Sequence, residues 1–331
     1  MAESSGSSMV HPCLMRRHDT QTAFSLPEQK HHHVSAPELS GNTFLVTPQG
    51  WILVVVDSVG SSPSNKTYLL DPQAGSRVQL PALEDELPEQ CRCILSGTGN
   101  HPGGGVLVLD LQSPTMWFSR VGGRRWSKHS YDIGCYDLPL EYCPVPKKRN
   151  FFNVAALGGR FFFFGANSNS ELGTLDFTDD PQPEARLGAV AIPNIDDDIY
   201  ADTQQSCIVA TYLLESCGEL FLATIAFHDF CFDRPGTVRV YTMDFSVPAW
   251  RRTYDIGDRA FLLGHSNFAA SCSASNRGLK PNTLYWLSIF TVGDCSLHVY
   301  SIQDGSFETI MPFENASSSR QKPFWIVPLA A

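Results

Sequence analysis

The chain is poor in charge and has no long apolar run. Of its 331 residues 18% are charged, and 24 Lys and Arg are set against 34 Asp and Glu, which gives a formal net charge of −10. A nucleic-acid-binding surface needs cations concentrated against the phosphates, so this balance excludes that class of partner. The longest apolar stretches are Trp51–Val56 and Phe161–Phe164, whereas a membrane-spanning helix needs about 20 residues. The sequence therefore predicts no nucleic-acid partner and no membrane partner.

Metal-binding and secretory signals are also missing. The ten cysteines include no Cys-x-x-Cys pair and no Cys/His set with zinc-finger spacing. Cys91 and Cys93 are two positions apart, which would place both on one face of a strand. Residues 1–8 lack a basic segment followed by an apolar one, so secretion is not predicted. We therefore expect reduced cysteines that mostly pack in the core, and a cytoplasmic or nuclear location. An organellar location stays open because Arg16 and Arg17 follow a Ser-rich start.

Helical periodicity is absent, and short apolar runs bounded by turn residues take its place. No window of 11 or more residues keeps an apolar stripe of helical period, and roughly twenty strand-like runs follow residue 43. One sandwich cannot hold so many strands, whereas a propeller can, because its strand edges are short and mostly shielded. At about 45 residues per blade, we predict an all-β fold, a single β-propeller of about six four-stranded blades, with five to seven possible.

The two ends of the chain receive separate predictions. Residues 1–40 are polar and contain three prolines, so they are predicted to form a poorly ordered N-terminal tail, and residues 41–331 to form the propeller domain. The stretch Pro323–Pro328 is expected to return to the N-terminal strands and close the ring. Asp304-Gly305 predicts a tight hairpin, because Gly tolerates the positive φ of such turns.

Two stretches of the chain repeat each other. We name Trp126–Gly134 (WSKHSYDIG) the first copy and Trp250–Gly257 (WRRTYDIG) the second copy. Their tryptophans lie about 124 positions apart, a spacing that suits roughly three repeats of a four-stranded unit. Each Trp is expected to begin an equivalent strand and to fill the gap between adjacent blades, with its indole N–H hydrogen-bonded nearby.

Some stretches contain residue types that are used in catalysis or binding. The three adjacent histidines His31–His33 could bind a metal weakly, but nothing fixes their geometry, so we interpret them as part of the tail. Gly264–Phe268 begins like a nucleophile elbow, but Phe268 replaces the final Gly, and turn or core packing is favoured. Gly97–Gly105 lacks the Lys-Ser/Thr ending of a phosphate loop, so it is interpreted as a blade connection.

Acidic residues offer two further candidates. Asp196–Asp198, with Asp179 and Asp180 nearby, could hold Ca²⁺, but an EF-type loop also needs a Gly and a distal Glu. We interpret them as a solvated acidic loop that could attract a basic partner. Asp258-Arg259 is expected to form an ion pair or hydrogen bonds to a turn. No catalytic, cofactor-binding or metal-binding residue is therefore assigned, no cofactor is expected, and the chain is predicted not to be an enzyme.

Doubled glycines before an aromatic strand, as at Leu157–Phe164, resemble kelch-type blades. Seven further stretches, taken in order, resemble the plant KIB-type β-propeller family, long catalogued as a domain of unknown function and usually attached to an F-box. They are Thr47–Leu53, Leu69–Pro81, Cys93–Ser96, Tyr212–Leu222, Asp255–Gly264, Gly278–Trp286 and Lys322–Pro328. The resemblance covers nearly the whole chain from Phe44 to Pro328.

The resemblance implies a role in protein recognition. In that family the F-box docks on a Skp-type adaptor of a cullin ubiquitin ligase, and the propeller captures a target. Residues 1–43 contain no Trp, few Leu and no helical period, so an F-box is not expected there. We predict a non-enzymatic protein-interaction propeller with an unknown protein target and with ubiquitin-ligase subunits as further candidate partners. Two alternatives stay open, namely a receptor recruited indirectly to the ligase and an enzyme that uses the central channel. The family motifs are blade scaffolding, so no binding residue is carried over.

Overall fold

The computed structural model describes residues 11–17, 19–34, 36–56, 65–136, 145–151, 153–164, 171–180, 183–192, 206–228, 235–288, 295–313 and 322–329. Within these ranges the chain forms 25 strands and one short α-helix. In chain order they are β1 (Cys13–Arg16), β2 (Asp19–Ser25), β3 (Lys30–His33), β4 (Thr43–Val46), β5 (Ile52–Val56), β6 (Asn65–Leu70), β7 (Arg77–Leu83), β8 (Cys91–Leu95), β9 (Gly105–Asp110), β10 (Thr115–Arg120), β11 (Ser127–Ser130), β12 (Val154–Leu157), β13 (Arg160–Phe164), β14 (Glu171–Phe177), β15 (Ala185–Ala191), β16 (Ser206–Ser216), β17 (Glu219–His228), β18 (Thr237–Asp244), β19 (Ala249–Thr253), β20 (Arg259–Leu263), β21 (Ala269–Ser273), α1 (Ala274–Arg277), β22 (Thr283–Leu287), β23 (Leu297–Ser301), β24 (Phe307–Ile310) and β25 (Pro323–Ile326).

The strands form six sheets, which are the blades of a β-propeller. Blade 1 has the order β25-β1-β2-β3, and blades 2, 3, 4 and 5 are β4–β7, β8–β11, β12–β15 and β16–β19. Blade 6 has the order β21-β20-β22-β23-β24. Five blades are four-stranded and antiparallel, and the sixth carries one additional strand. The predicted fold class, an all-β propeller of about six blades, is confirmed.

Apolar runs become strands here because a blade is covered on both faces. In β5, Ile52 and Val54 pack towards blade 1, whereas Leu53 and Val55 pack towards blade 3. Successive side chains of a strand point to opposite faces, so a strand between two neighbours needs apolar residues at every position. The core is therefore divided into layers, one between each pair of adjacent blades, rather than gathered in one centre.

One strand of each blade lies next to the central axis. These inner strands are β25, β4, β8, β12, β16 and β21, and neighbours in this series contact one another from β25 round to β21. Each inner strand pairs within its blade on one side only. Its other edge, with backbone N–H and C=O groups, therefore borders the axis.

The ring is closed by strands from the two ends of the described chain. β25 pairs antiparallel with β1, so that Leu14 lies opposite Trp325 and Met15 opposite Phe324. Trp325 is fully buried and its indole N–H donates to the Leu263 carbonyl of blade 6 at 2.9 Å. The predicted return of the C-terminal stretch to the N-terminal strands is confirmed.

The predicted tail is wrong for residues 13–33, because these residues form β1, β2 and β3 of blade 1. Leu14 and Met15 have no exposed surface, although their sequence neighbours are polar. The partner that makes this segment a blade is β25, which lies at the other end of the chain, so local sequence carries little of the signal. Residues 1–10 lie outside the described residues.

Blade 6 differs from the others because a hairpin adds a strand at its inner side. β21 is antiparallel to β20, while β20 is parallel to β22. Parallel neighbours need a connection that crosses back, and α1 lies in that connection. The helix begins after Ser273, whose side chain accepts a hydrogen bond from the Asn276 N–H, and it ends at Gly278 with φ of +68°.

The two copies lie two blades apart, whereas their spacing in the sequence predicted roughly three. The first copy includes β11 of blade 3 and the second includes β19 of blade 5, so about 124 positions span two blades rather than three. The blades between them are longer than the expected unit, since β16 and β17 contain 11 and 10 residues.

The hairpin predicted at Asp304-Gly305 is confirmed, because it joins the antiparallel strands β23 and β24 and Gly305 has φ of +69°.

Candidate functional site

The inner strands enclose a cavity of about 460 Å³, a volume typical of small-ligand sites. It lies towards the end at which most inner strands finish, since Leu157 ends β12 and Glu215 stands one residue before the end of β16. Every blade contributes to its lining. In the order of the blades, representative lining residues are Leu329, Gln49, Thr98, Leu157, Glu215 and Ser271.

Small side chains keep this cavity open. β12 contributes Ala155 and Ala156, and β21 contributes Ala269 and Ala270. Large side chains at these inner positions would occupy the space next to the axis. Side chains bond some backbone groups of this inner edge, since the Leu95 N–H donates to Gln49 Oε1 and the Val154 carbonyl accepts from Arg92, each at 3.1 Å. A bound group would meet apolar methyl groups together with the remaining backbone groups.

One rim of the cavity is the glycine-rich connection between β8 and β9. Gly99 lies against the indole of Trp51, so close that a Cβ on Gly99 would stand 2.6 Å from ring atoms. The Gly105 N–H donates to Ser96 Oγ at 2.8 Å and closes the base of the connection. The interpretation of Gly97–Gly105 as a blade connection is confirmed, and the connection is internal to blade 3.

Three polar side chains join the inner strands of blades 4, 5 and 6, namely Asn153 and Asn267, which precede their strands, and Thr211 in the middle of β16. Asn267 Nδ2 donates to Asn153 Oδ1 at 2.7 Å and to the Thr211 carbonyl at 2.9 Å, and Asn153 Nδ2 donates to Thr211 Oγ1 at 2.7 Å. Asn153 precedes β12 and Asn267 precedes β21. The group therefore lies towards the opposite end of the axis from Glu215.

The turn that carries Asn267 belongs to Gly264–Phe268. Ser266 and Asn267 both have positive φ, 55° and 57°, a conformation that costs energy for most residues other than Gly and is best tolerated by Asn and Asp. The turn joins strands β20 and β21 rather than a strand and a helix. Its interpretation as a turn instead of a nucleophile elbow is confirmed.

Glu215 carries the only formal charge among the described residues that line the cavity. Its Oε1 accepts a hydrogen bond from the Gly218 N–H at 2.8 Å, across the turn between β16 and β17. That turn is tight, with positive φ at Cys217 and Gly218. The other polar lining side chains are neutral, namely Gln49, Ser96, Thr98, Asn100 and Ser271. The mouth therefore presents one negative charge in neutral surroundings.

A histidine and a cysteine also meet in blade 6. His265 Nε2 lies 4.0 Å from the Sγ atom of Cys295. No local sequence pattern marks this pair, because the two residues come from different segments. Burial, together with the nearby Lys322, lowers the pKa of His265 to about 4, and burial raises the pKa of Cys295 to about 12. Both side chains are therefore neutral near pH 7, and the reactive thiolate that nucleophilic catalysis needs is disfavoured.

The three adjacent histidines lie on β3, the outer strand of blade 1, and not in a solvated tail. His31 packs near the rings of Phe24 and Phe313, with centroids 5.3 and 5.4 Å away. Because neighbouring residues of a strand point to opposite faces, His32 is turned away from His31 and His33. The strand therefore does not gather the three imidazoles around one metal ion.

Two of the acidic candidates, Asp258 and Asp179, bond to other parts of the chain. Asp258 accepts hydrogen bonds from the hydroxyls of Ser273 and Ser275, next to the start of α1. Arg259 pairs with Glu219 at 2.7 Å, so the expected structural role of Asp258-Arg259 is confirmed. Asp179 pairs with Arg120 at 2.8 Å. Asp196–Asp198 lie outside the described residues.

The tryptophans of the two copies both fill gaps between blades, as predicted. Trp126 Nε1 donates to the Pro81 carbonyl of blade 2 at 3.0 Å. Trp250 packs its ring on Phe164 of blade 4, with centroids 5.8 Å apart. The predicted partner for the indole N–H is wrong for Trp250, because its Nε1 is buried with no acceptor among the described residues. Its surroundings are mostly apolar side chains.

The described residues contain neither a metal-binding cluster nor a membrane-spanning helix. No group of three or more His, Cys, Asp or Glu in that part of the chain could hold a metal ion. No helix in the described ranges is long and apolar enough to cross a membrane.

Cys91 and Cys93 pack in the same core layer, so the predicted shared face is confirmed.

Comparison with known proteins identifies a family and two distant solved structures. One solved structure, a candidate 6-phosphogluconolactonase from Bacteroides fragilis, is 10% identical with a TM-score of 0.39, over 98% of this chain and 99% of that one. Another, from a study of two prolyl endopeptidases, is 15% identical with a TM-score of 0.30, over 82% of this chain and 33% of that one. At these TM-scores neither likeness bears on function. None of the curated proteins compared matches the chain. The model of the KIB1-4 beta-propeller family matches residues 23–308, and the chain therefore belongs to that family.

Proposed function

We propose that this chain is a non-enzymatic protein-interaction propeller that captures a partner protein at the mouth of its central cavity. The observation that carries the proposal is the convergence of all six blades on one mouth, where Gln49, Thr98, Glu215 and Leu329 come from four of them. Segments held by a rigid scaffold can recognise a partner without paying for extensive ordering on binding. Membership of the KIB1-4 beta-propeller family is consistent with such a role.

The chemistry of the mouth supports recognition more than catalysis. Glu215 is the one titratable side chain in its described lining, whereas general acid–base catalysis usually combines groups with different protonation states. Neutral amide and hydroxyl groups, such as those of Gln49 and Asn100, are suited to hydrogen bonds with a polypeptide. In the F-box proteins that this chain resembles, the propeller recognises substrate, and we propose the same use here.

The test is affinity purification of the full chain from plant tissue, followed by mass spectrometry. Three forms are compared, namely the wild type, the mouth variant Thr98→Arg with Asn100→Arg, and the control Ser130→Arg. Residues 98, 100 and 130 are all exposed and belong to the same blade, but Ser130 lies on the outer strand β11. We expect a partner that is retained by the wild type and the control and lost from the mouth variant.

Partners that bind the mouth variant as well as the wild type would contradict recognition at this site. Cullin and Skp-type subunits among the mouth-dependent proteins would favour the alternative, a receptor recruited to a ubiquitin ligase through a second protein. Mouth-dependent partners without those subunits would favour a propeller that acts apart from the ligase or competes with relatives that carry an F-box.

A further inference from the structure

Only one of the two carboxylate oxygens of Glu215 accepts a hydrogen bond from the described residues. One oxygen accepts the Gly218 N–H at 2.8 Å, and the other has no partner among the described residues. The hydrogen bond fixes the side chain at the cavity, because it ties the carboxylate to the backbone of its own turn. An anchored carboxylate with an unused oxygen is preorganised to accept a hydrogen bond from a bound group.

None of the described residues that line the cavity carries a positive charge. Arg259, which contacts this turn, pairs with Glu219 at 2.7 Å, and Glu219 is not among the lining residues. The chain as a whole is also acidic, with a formal net charge of −10. The low-dielectric walls of the cleft strengthen the attraction of Glu215 for a cation. The nearby buried guanidinium of Arg92 is not among the lining residues, and it donates to the Val154 carbonyl at 3.1 Å.

The walls fit the apolar stem of a long side chain. Leu157, Leu214, Ala155 and Ala270 supply an apolar surface, and Lys and Arg side chains bury their methylene groups along such surfaces while the charged end seeks a polar partner. The inner edges of these strands add backbone carbonyl acceptors around the same space, apart from the Val154 carbonyl, which accepts from Arg92. A cavity of about 460 Å³ has room for one such side chain together with its flanking backbone.

We propose that the cavity binds the ammonium or guanidinium group of a Lys or Arg side chain, presented by a segment of the partner protein, with Glu215 as its counter-charge. This inference rests on the proposed function, because the segment enters through the same mouth. The same cationic chemistry could come from a free small amine, and the experiment separates these two sources.

A random heptapeptide library displayed on phage is selected on the wild-type chain, on Glu215→Gln and on the control Glu219→Gln. Glutamine keeps the oxygen that accepts the Gly218 N–H, so the turn is preserved, and thermal unfolding checks that each variant is folded. Glu219 is an exposed carboxylate of the same turn that lies outside the cavity. We expect enrichment of Lys and Arg at one peptide position with the wild type and with Glu219→Gln, and loss of this preference with Glu215→Gln.

Affinity for the blocked tripeptide Ac-Gly-Arg-Gly-NH₂ is then measured by NMR titration. A charge-assisted hydrogen bond contributes enough that Glu215→Gln should bind about tenfold more weakly or worse, and replacing the arginine by neutral citrulline should weaken binding to the wild type by a similar factor. Agmatine has the same guanidinium group without a peptide backbone. It should bind more weakly than the tripeptide if the site recognises a side chain carried by a polypeptide. Equal affinity would show that the site binds a free amine and would overturn the proposal of a partner segment.

Two results would overturn the inference and leave the proposed function standing. One is a mouth-dependent partner in the affinity purification whose binding is unchanged by Glu215→Gln. The other is selection of neutral or acidic peptides without regard to Glu215. Failure to select any peptide would also count against the inference, whereas the proposed function fails only if no partner depends on the mouth.

Discussion

The first and second copies share a sequence and a position in their blades but not a set of contacts. In each, the Asp side chain accepts a hydrogen bond from the N–H of the Gly two residues later, Asp132 from Gly134 at 2.9 Å and Asp255 from Gly257 at 2.7 Å. Both glycines have positive φ, 88° and 65°. The Asp-Ile-Gly ending therefore encodes one backbone turn in both blades.

The aromatic residues of the two copies have different surroundings. Tyr131 is 6% exposed and its hydroxyl oxygen accepts the Phe151 N–H at 2.9 Å, whereas Tyr254 is 65% exposed beneath the guanidinium of Arg252. Burial raises the pKa of Tyr131 to about 12. A repeated motif thus fixes the backbone, while the neighbouring blade decides how each aromatic side chain is used.

The largest expected effect separates the two tryptophans. Trp250→Ala should lower the free energy of unfolding by about 3–5 kcal/mol, because it leaves a cavity in a core layer where Trp250 is 3% exposed. Trp126→Ala should cost about 1–2 kcal/mol, because Trp126 is only partly buried and removes less apolar area from water. Chemical denaturation of both variants measures the difference. Equal losses would show that the two positions are energetically equivalent after all.

The tyrosines provide the next comparison. Tyr131→Phe leaves the buried Phe151 N–H without its acceptor, which should cost about 1–3 kcal/mol. Tyr254→Phe removes an exposed hydroxyl and should change stability by less than about 0.5 kcal/mol. Urea titrations of the matched pair are the measurement. A destabilised Tyr254→Phe variant would contradict the asymmetry between the copies.

The smallest difference between the copies is expected at their turn glycines. Gly134→Ala and Gly257→Ala each place a Cβ at a positive φ, and each should cost about 1 kcal/mol. Replacing Gly257 by Asn should cost less, because Asn tolerates this conformation better. Midpoints of thermal unfolding compare the four proteins, and a clear difference between the two alanine variants would refute a shared turn.

Features repeated along the chain could be predicted from the sequence, because each leaves a local pattern. Short apolar runs, turn glycines such as Gly305, and the tryptophans of the two copies sufficed for the fold class, the approximate blade count and the gap-filling role of Trp126 and Trp250. The lack of an acceptor for the Trp250 N–H among the described residues could not be predicted, since it depends on which atoms of blade 4 face the indole. The predicted separation of roughly three blades between the two copies was also wrong, because strand length varies between blades.

The cavity could not be predicted, because no single segment contains it. Each blade supplies a few lining residues, and small ones such as Ala155 and Ala270 carry no distinctive local signal. Glu215 lies in Tyr212–Leu222, which the sequence interpretation treated as blade scaffolding. Its position at the cavity follows from the end of β16 and the tight turn after it. Only the assembled ring shows that none of the described residues lining the cavity carries a positive charge.

Ring closure by β25 has a consequence for biosynthesis. β1, β2 and β3 leave the ribosome among the first of the described strands, but the partner of β1 is the last of them. Until it emerges, β1 presents an open strand edge beside the fully apolar side chains of Leu14 and Met15. Such an edge can pair with another nascent chain, and contacts between sequence-distant segments form slowly. The first blade is therefore the part of the nascent protein most in need of protection by chaperones.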